Sequence, residues 1–207
     1  MLNKIRDYLD FAGLQYRNPD KAGAEREKML AFRHKGQEAR KAFTELANAF
    51  QVSHPEWQLQ QTSQWMNQAQ RLRPHFWVYL QREGKVTEPM LALRLYGNPS
   101  DFGISLEISF IERKKDEQTL GKQVKVLEIP TVEGIYYLVY SDDQSQRWDA
   151  NEENRQILRN KLSNQEVRKV LVKADVSVTE NSSEEDIVEN LLKSYDKILP
   201  FYLATRN

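Results

Sequence analysis

The clearest indication of the fold of this 207-residue chain is ISLEISFIE, residues 104–112, in which apolar and polar residues alternate. Successive side chains of a β-strand point to opposite faces of a sheet. One face of this strand therefore carries isoleucine, leucine and phenylalanine, and the other carries serines and Glu107. We expect the first face to pack against helices and the second to be at least partly polar.

Four further segments have the same β-branched and aromatic character, and turn-forming glycine, proline or asparagine residues separate them. They are residues 76–80, 90–96, 124–129 and 135–140. The short connections between strands favour antiparallel hairpins over crossovers. With residues 104–112 they predict a meander-like sheet of five strands, and residues 167–172 predict a sixth strand.

The sequence on both sides of these strands has apolar residues at the three- and four-residue spacing of amphipathic helices. Helices are predicted at residues 2–12, 21–51, 53–72, 151–162 and 183–199. Gly36 lies inside the second helix and is expected to weaken or bend it, because glycine costs about 1 kcal/mol relative to alanine. The predicted fold class is α+β: an antiparallel sheet of five to six strands with N-terminal and C-terminal helices packed around it.

The predicted elements form one domain that comprises residues 1–207. Residues 1–73 are its helical N-terminal part, and residues 74–207 supply the sheet and two C-terminal helices. No low-complexity stretch is long enough to act as a linker between separate domains. The composition, 40% hydrophobic and 29% charged, is typical of globular proteins and argues against disorder.

The charge and cysteine content restrict the classes of function. Basic and acidic residues both number 30, whereas domains that bind the nucleic-acid backbone usually have a basic excess. The first 95 residues hold 15 basic and 10 acidic residues, so the N-terminal half is mildly basic. The absence of cysteine excludes disulfide-linked partners, thiolate catalysis and cysteine-ligated metals. The sequence shows neither a signal peptide nor an apolar run long enough to span a bilayer, which predicts a cytoplasmic protein without a membrane partner.

The sharpest catalytic candidate surrounds the strand at residues 104–112. Asp101 precedes this strand, and Glu112 and Lys114 are two residues apart at its end, so both would share one strand face. This arrangement resembles the motif of the PD-(D/E)xK nucleases, and the resemblance implies acids that hold Mg²⁺ and a lysine that positions or activates water. The alternative is a solvated strand end, because acid-x-Lys triplets occur in this chain no more often than chance placement gives.

A second candidate is the segment RLRPHFWVY, residues 71–79. Arg71, Arg73 and His75 are followed by aromatic residues. This combination can bind single-stranded nucleic acid when the nucleobases stack on the aromatic rings and the arginine side chains contact the phosphates. The alternative is structural, because the aromatic residues also belong to an apolar strand with at least one buried face.

No other pattern predicts a metal site or a cofactor. The histidines His34, His54 and His75 do not stand at metal-ligand spacing, and the eight glycines form no phosphate-binding loop. Acidic residues cluster between residues 142 and 153, but this cluster lacks the glycine and the ligand spacing of an EF-hand. Apart from Mg²⁺ under the nuclease hypothesis, the sequence therefore predicts neither a metal nor a cofactor.

Two functional hypotheses of different classes follow. The leading one is a non-enzymatic binding or accessory protein whose partner is a macromolecule, either a protein or a nucleic acid. It depends on the absence of catalytic constellations, on the uneven charge and on residues 71–79. The alternative is a Mg²⁺-dependent phosphodiesterase that uses Asp101, Glu112 and Lys114. The sequence identifies no substrate, partner or oligomeric state.

Overall fold

The structure is a computed structural model that describes residues 1–141 and 144–206. Five helices occur in this part of the chain: α1 (Leu2–Leu9), α2 (Arg26–Val52), α3 (Glu117–Gln123), α4 (Glu152–Ser163) and α5 (Glu184–Ala204). The same part of the chain forms seven strands: β1 (Gln58–Leu59), β2 (Trp77–Gln81), β3 (Met90–Asn98), β4 (Asp101–Ser109), β5 (Tyr136–Ser141), β6 (Gln144–Asp149) and β7 (Lys169–Val178). Within the described residues, no helix is both long and apolar enough to cross a membrane.

All seven strands belong to one sheet, in the order β1-β2-β3-β4-β7-β5-β6, and every neighbouring pair is antiparallel. The predicted α+β class and antiparallel sheet are confirmed. The topology is not a simple meander, because β7 is inserted between β4 and β5. This insertion places β7 beside strands that precede it by more than 25 residues, and it determines which charged side chains meet.

Helices cover one face of the sheet, where the side chains are apolar. Tyr8 of α1 stacks on Phe76, with ring centroids 5.2 Å apart, and Phe43 of α2 lies 5.9 Å from the same ring. The third covering helix is α5, which contacts β4, β7 and α2. Because the phenyl ring of Phe76 is fully buried among these helices, it anchors the N-terminal helices to the sheet.

The opposite face of the sheet, here called the polar face, carries hydroxyl, aromatic and charged side chains. The strand register places the following residues on it: Trp77, Tyr79, Arg94, Ser105, Glu107, Ser109, Tyr136, Leu138, Tyr140, Lys169, Leu171, Lys173 and Asp175. The alternation within residues 104–112 therefore has the predicted consequence that one face meets helices and the other is partly polar.

The prediction of a helix at residues 53–72 is wrong. This segment consists of loops and turns, and its two-residue strand β1 pairs with β2. The apolar residues that imitate helical spacing are buried by separate tertiary contacts. The indole Nε1 of Trp57 donates to the Tyr195 hydroxyl at 3.1 Å, and Trp65 packs against Gly36. Periodicity alone cannot distinguish such independently buried residues from one helical stripe.

Gly36 does not break α2 into two helices, since α2 is continuous from Arg26 to Val52. A Cβ atom on Gly36 would lie 2.6 Å from Cε3 of Trp65. The glycine therefore provides space for the indole ring, and the close packing offsets its low helix propensity.

Three further differences from the predicted elements concern residues 124–129, β6 and the end of α5. Residues 124–129 do not form a strand: Val124–Glu128 is a 3-10 turn that continues α3 and buries Val126 and Leu127. A short apolar run of this kind fits a buried helical turn as well as a strand. Conversely, β6 was not predicted because its exposed sequence QSQRWD lacks apolar alternation, and pairing with β5 alone makes it a strand. At the C-terminus, α5 extends past residue 199 and includes Pro200.

The C-terminal end of α4 has a Schellman motif that directs the chain into β7. The Glu166 amide donates to the Lys161 carbonyl, and the Gln165 amide donates to the Leu162 carbonyl. Gln165 adopts φ of 61°, a left-handed conformation that favours glycine. We expect Gln165→Gly to raise the free energy of unfolding by about 0.5–1 kcal/mol, measured by urea denaturation. Gln165→Ala, the control, should give no increase, and an equal gain in both variants would contradict the backbone explanation.

Candidate functional site

A cavity of about 790 Å³ opens on the polar face, at the end where β4 and β5 finish and β3 and β7 begin. Strands supply most of its lining, and the loop between α4 and β7 supplies one wall. Its principal lining residues are His75, Tyr79, Arg94, Tyr140, Lys169 and Lys173. The cavity is called the polar-face cavity below.

Glu107 lies beneath the polar-face cavity with none of its surface exposed. The β4–β7 register puts it directly opposite Lys173, whose Nζ is 2.9 Å from Oε2 of Glu107. From β3, Nε of Arg94 donates to Oε1 at 2.9 Å. Burial alone would raise the pKa of Glu107, but the two cations outweigh it and hold this pKa below its usual range. The carboxylate is thus a fixed negative charge between two cations.

Arg94 retains free donor capacity at the cavity. Its Nη groups hydrogen-bond no carboxylate within residues 1–141 and 144–206, and its guanidinium lies 5.3 Å from the centroid of the Trp77 ring. A guanidinium presents five N–H donors in a rigid fork. Nε donates to Glu107 and the Tyr79 hydroxyl is a further hydrogen-bond partner, which still leaves part of the fork for a ligand. Arg94 lines the cavity, so these donors are placed where a ligand can reach them.

A second charged group, the mouth cluster, consists of Glu112, Lys115, Arg168 and Lys169. Lys169 donates to Oε1 of Glu112, Arg168 donates to the same oxygen at 3.2 Å, and Lys115 donates to Oε2 at 3.1 Å. Burial would raise the pKa of Glu112, but these bonds lower it to about 2. Burial lowers the pKa of Lys169, whose Nζ lies 4.0 Å from the centroid of the Tyr140 ring. The mouth cluster thus joins three cations to one carboxylate.

Apart from Glu166, the remaining lining is neutral. The Tyr79 hydroxyl donates to the Phe110 carbonyl at 3.2 Å, and burial raises the pKa of Tyr79. Burial also raises the pKa of Tyr140, so both phenols stay protonated at neutral pH. Leu138 and Leu171 are register partners on β5 and β7. They form an apolar strip between Arg94 and Lys173, which are called the inner cations below, and the mouth cluster.

His75 is expected to stay uncharged in the folded protein at neutral pH. Burial, together with the positive charges of Arg94 and Arg73, lowers the pKa of His75 from 6.5 to about 4. Between these values the unfolded chain binds more protons than the folded one, so the free energy of unfolding should fall as the pH decreases from 6.5 to 4. An NMR titration of the imidazole Cε1–H signals measures this pKa. A midpoint for His75 near 6.5 would contradict the burial argument.

The structure does not bring the residues of the nuclease hypothesis together. Asp101 begins β4, and Glu112 follows its far end. Asp101 and Ser109 alone are roughly 26 Å apart at about 3.3 Å per strand residue, which excludes a shared metal ion. Lys114 is exposed on a 3-10 turn, and the lysine that contacts Glu112 from across the sheet is Lys169. The Asp101, Glu112 and Lys114 motif therefore provides no two-carboxylate metal site.

Residues 71–79, the second candidate predicted from sequence, lie partly in a loop and partly in β2. The guanidinium of Arg71 donates to the Gly13 carbonyl, and that of Arg73 donates to the Met66 carbonyl, so both arginines brace loops. Arg73 also lies 4.7 Å from the centroid of the Trp77 ring. Of the three predicted contact residues, His75 alone lines the polar-face cavity.

Sequence reasoning missed the cations that make the site. Arg94, Lys169 and Lys173 lie in strands that were identified by their apolar residues. The signal that could have found them is a charged residue at alternate positions of an otherwise apolar strand, as at Lys169, Lys173 and Asp175 of β7. Glu107 gives the same signal in β4. The alternation predicts which face of the strand carries its side chain, but it does not predict which residues that side chain contacts.

Within the part of the chain that the structure describes, no group of three or more histidine or acidic residues could hold a metal ion. Asp142 and Asp143 of the acidic cluster lie outside the described residues. No family model matches the sequence, and neither curated proteins nor solved structures give a significant match. The geometry of the polar-face cavity is therefore the basis for assigning a function.

Proposed function

We propose that this protein binds a small organic anion in the polar-face cavity. The observation that carries the proposal is the surplus of cations there. Two carboxylates, those of Glu107 and Glu112, are contacted by the four cationic side chains that line the cavity: Arg94, Arg168, Lys169 and Lys173. Glu166 also lines the cavity, but its carboxylate accepts a hydrogen bond from Lys161 at 2.7 Å.

Two of the cations are almost completely buried. The side chains of Lys173 and Lys169 are 6% and 7% exposed, and Glu107, one of their counter-ions, is fully buried. Charges in such an environment are weakly screened, so an anion that enters the cavity gains more energy than it would at the protein surface. A site that holds surplus positive charge with partly free donors favours an anionic group.

The cavity's size and apolar strip indicate the rest of the ligand. A volume of about 790 Å³ lies within the range of pockets that bind small molecules. Leu138, Leu171 and Phe110 supply apolar surface between the charged groups. An organic body attached to the acid group would bury this surface from water.

A nucleic-acid partner is the second candidate, and one observation supports it. Trp77 and Tyr79 lie on the polar face, as base stacking requires. However, the guanidinium groups of Arg73 and Arg94 already contact the Trp77 ring. A gel-shift assay at low salt with a single-stranded oligonucleotide tests this candidate, and an unshifted oligonucleotide would rule it out.

The anion proposal is tested with hexanoate and its neutral analogue hexanamide, by isothermal titration calorimetry and thermal shift. We expect hexanoate to bind and to raise the melting temperature, and hexanamide to do neither. The variant Arg94→Lys retains the charge beside Glu107 but loses the free guanidinium donors, so we expect hexanoate affinity to fall about tenfold.

The matched control is Arg147→Lys. Arg147 also lies over the polar face, where its guanidinium is 3.6 Å from the centroid of the Tyr136 ring and pairs with Asp175. It does not line the cavity. Equal affinity of hexanoate and hexanamide, or equal losses in the two variants, would refute the proposal.

A further inference from the structure

The mouth cluster has the charge for a second acid group. Lys115, Arg168 and Lys169 all contact one carboxylate, that of Glu112, so two positive charges remain uncompensated. Arg168 and Lys169 line the cavity together with Glu112. The inner cations, Arg94 and Lys173, are a separate group that shares Glu107.

Glu112 is held differently from Glu107. Glu107 is central in β4 and has no exposed surface, so its carboxylate cannot leave its partners without unfolding the strand. Glu112 lies on the three-residue turn Glu112–Lys114, and its side chain is 44% exposed. Rotation about its side-chain bonds would carry the carboxylate into water, where it is well solvated. Glu112 is therefore an exchangeable counter-ion, whereas Glu107 is permanent.

The distance between the two groups of cations defines the length of the ligand. Lys169 and Lys173 are four residues apart on the same face of β7, which places their Cα atoms roughly 13 Å apart at about 3.3 Å per residue. Leu171 lies midway between them, beside its register partner Leu138. Two cationic groups are thus separated by an apolar strip.

We propose that the ligand of this cavity is an elongated organic dianion with an acid group at each end. One acid group lies at Arg94 and Lys173, the aliphatic body lies on Leu138 and Leu171, and the second acid group replaces the Glu112 carboxylate in the mouth cluster. This inference rests on the anion-binding function proposed above. Glu112 then acts as an internal counter-ion that holds the cluster in place until the ligand arrives.

Calorimetric titration with linear dicarboxylates, from butanedioate to tetradecanedioate, tests the inference. Each dicarboxylate is compared with the monocarboxylate of the same chain length. We expect a dicarboxylate of matched length to bind about tenfold tighter than its monocarboxylate, because it gains a second charge-assisted contact. Shorter dicarboxylates, which cannot reach both groups, should lose this advantage.

Variants of the mouth cluster give a second test. Arg168→Gln should lower dicarboxylate affinity more than monocarboxylate affinity, and so remove most of the advantage of the matched dicarboxylate. Glu112→Gln removes the competing carboxylate, so dicarboxylate affinity should increase about threefold to tenfold. The control is Arg113→Gln, since Arg113 is exposed beside Glu112 and does not line the cavity. Arg168 is exposed, so its variant remains informative even if Glu112→Gln lowers stability.

The outcomes separate this inference from the proposed function. Equal affinity for monocarboxylates and dicarboxylates of every length would overturn the second acid site and leave the anion-binding function standing. A Glu112→Gln variant that binds dicarboxylates more weakly than wild type would overturn the exchange of Glu112. Failure of every carboxylate to bind would refute the anion-binding function itself.

Discussion

Replacing Glu107 by glutamine is expected to lower the free energy of unfolding by about 3–5 kcal/mol, the cost of breaking a buried ion pair by removing one partner. The reason is that Lys173 and Arg94 would lose their shared counter-ion while their side chains remain largely buried. Equilibrium urea denaturation measures this loss. The control is Glu45→Gln, which removes an exposed carboxylate 3.8 Å from Lys41 and should cost less than about 1 kcal/mol.

The same network separates stability from function. In the triple variant Arg94→Met, Glu107→Leu and Lys173→Met, apolar side chains of similar volume replace all three charges. Such replacements are often neutral or stabilising, so most of the stability lost in Glu107→Gln should return. Anion binding should not return, because the inner cations are gone. If Glu107→Gln itself costs less than about 1 kcal/mol, Glu107 is not the counter-ion that the structure indicates.

The second large effect is expected at Phe76, where alanine should cost about 3–5 kcal/mol. The ring is completely buried and contacts Tyr8 and Phe43 from two different helices, so its removal leaves a cavity that neither helix can easily fill. Thermal and urea denaturation of Phe76→Ala measure the loss.

The adjacent residue provides the matched comparison. Trp77 is larger than Phe76, but it lies on the polar face and is only partly buried. Trp77→Ala should therefore cost clearly less than Phe76→Ala, and it should weaken anion binding because the indole supports Arg94. A larger loss of stability in Trp77→Ala would mean that the two faces of β2 are assigned the wrong way round.

Several elements could be predicted because their signals are local. The alternation in residues 104–112 predicts β4 and its two faces, and the helical spacing of apolar residues in 183–199 predicts most of α5. Failures occurred where burial depends on distant partners. Trp57 and Trp65 imitate a helical stripe but pack separately, and the exposed strand β6 has no apolar pattern of its own.

In the candidate site, too, local signals could be predicted and contacts with distant partners could not. His75 was singled out from sequence and does line the cavity, whereas Arg71 and Arg73 bind loop carbonyls. Glu112 was singled out with the partners Asp101 and Lys114. Its partners in the structure come instead from the start of β7 and from Lys115. A residue type can be recognised in a sequence, but the identity of its partner depends on strand order.

The order of residues is enough to predict a two-faced sheet with helices on its apolar side, because side-chain direction in a strand depends only on parity along the chain. The contact of Arg94, Glu107 and Lys173 beneath one cavity becomes visible only once the chain is folded. These residues come from three strands, and the contact exists because β7 is inserted between β4 and β5. That insertion depends on the packing of the whole sheet, which no local periodicity records.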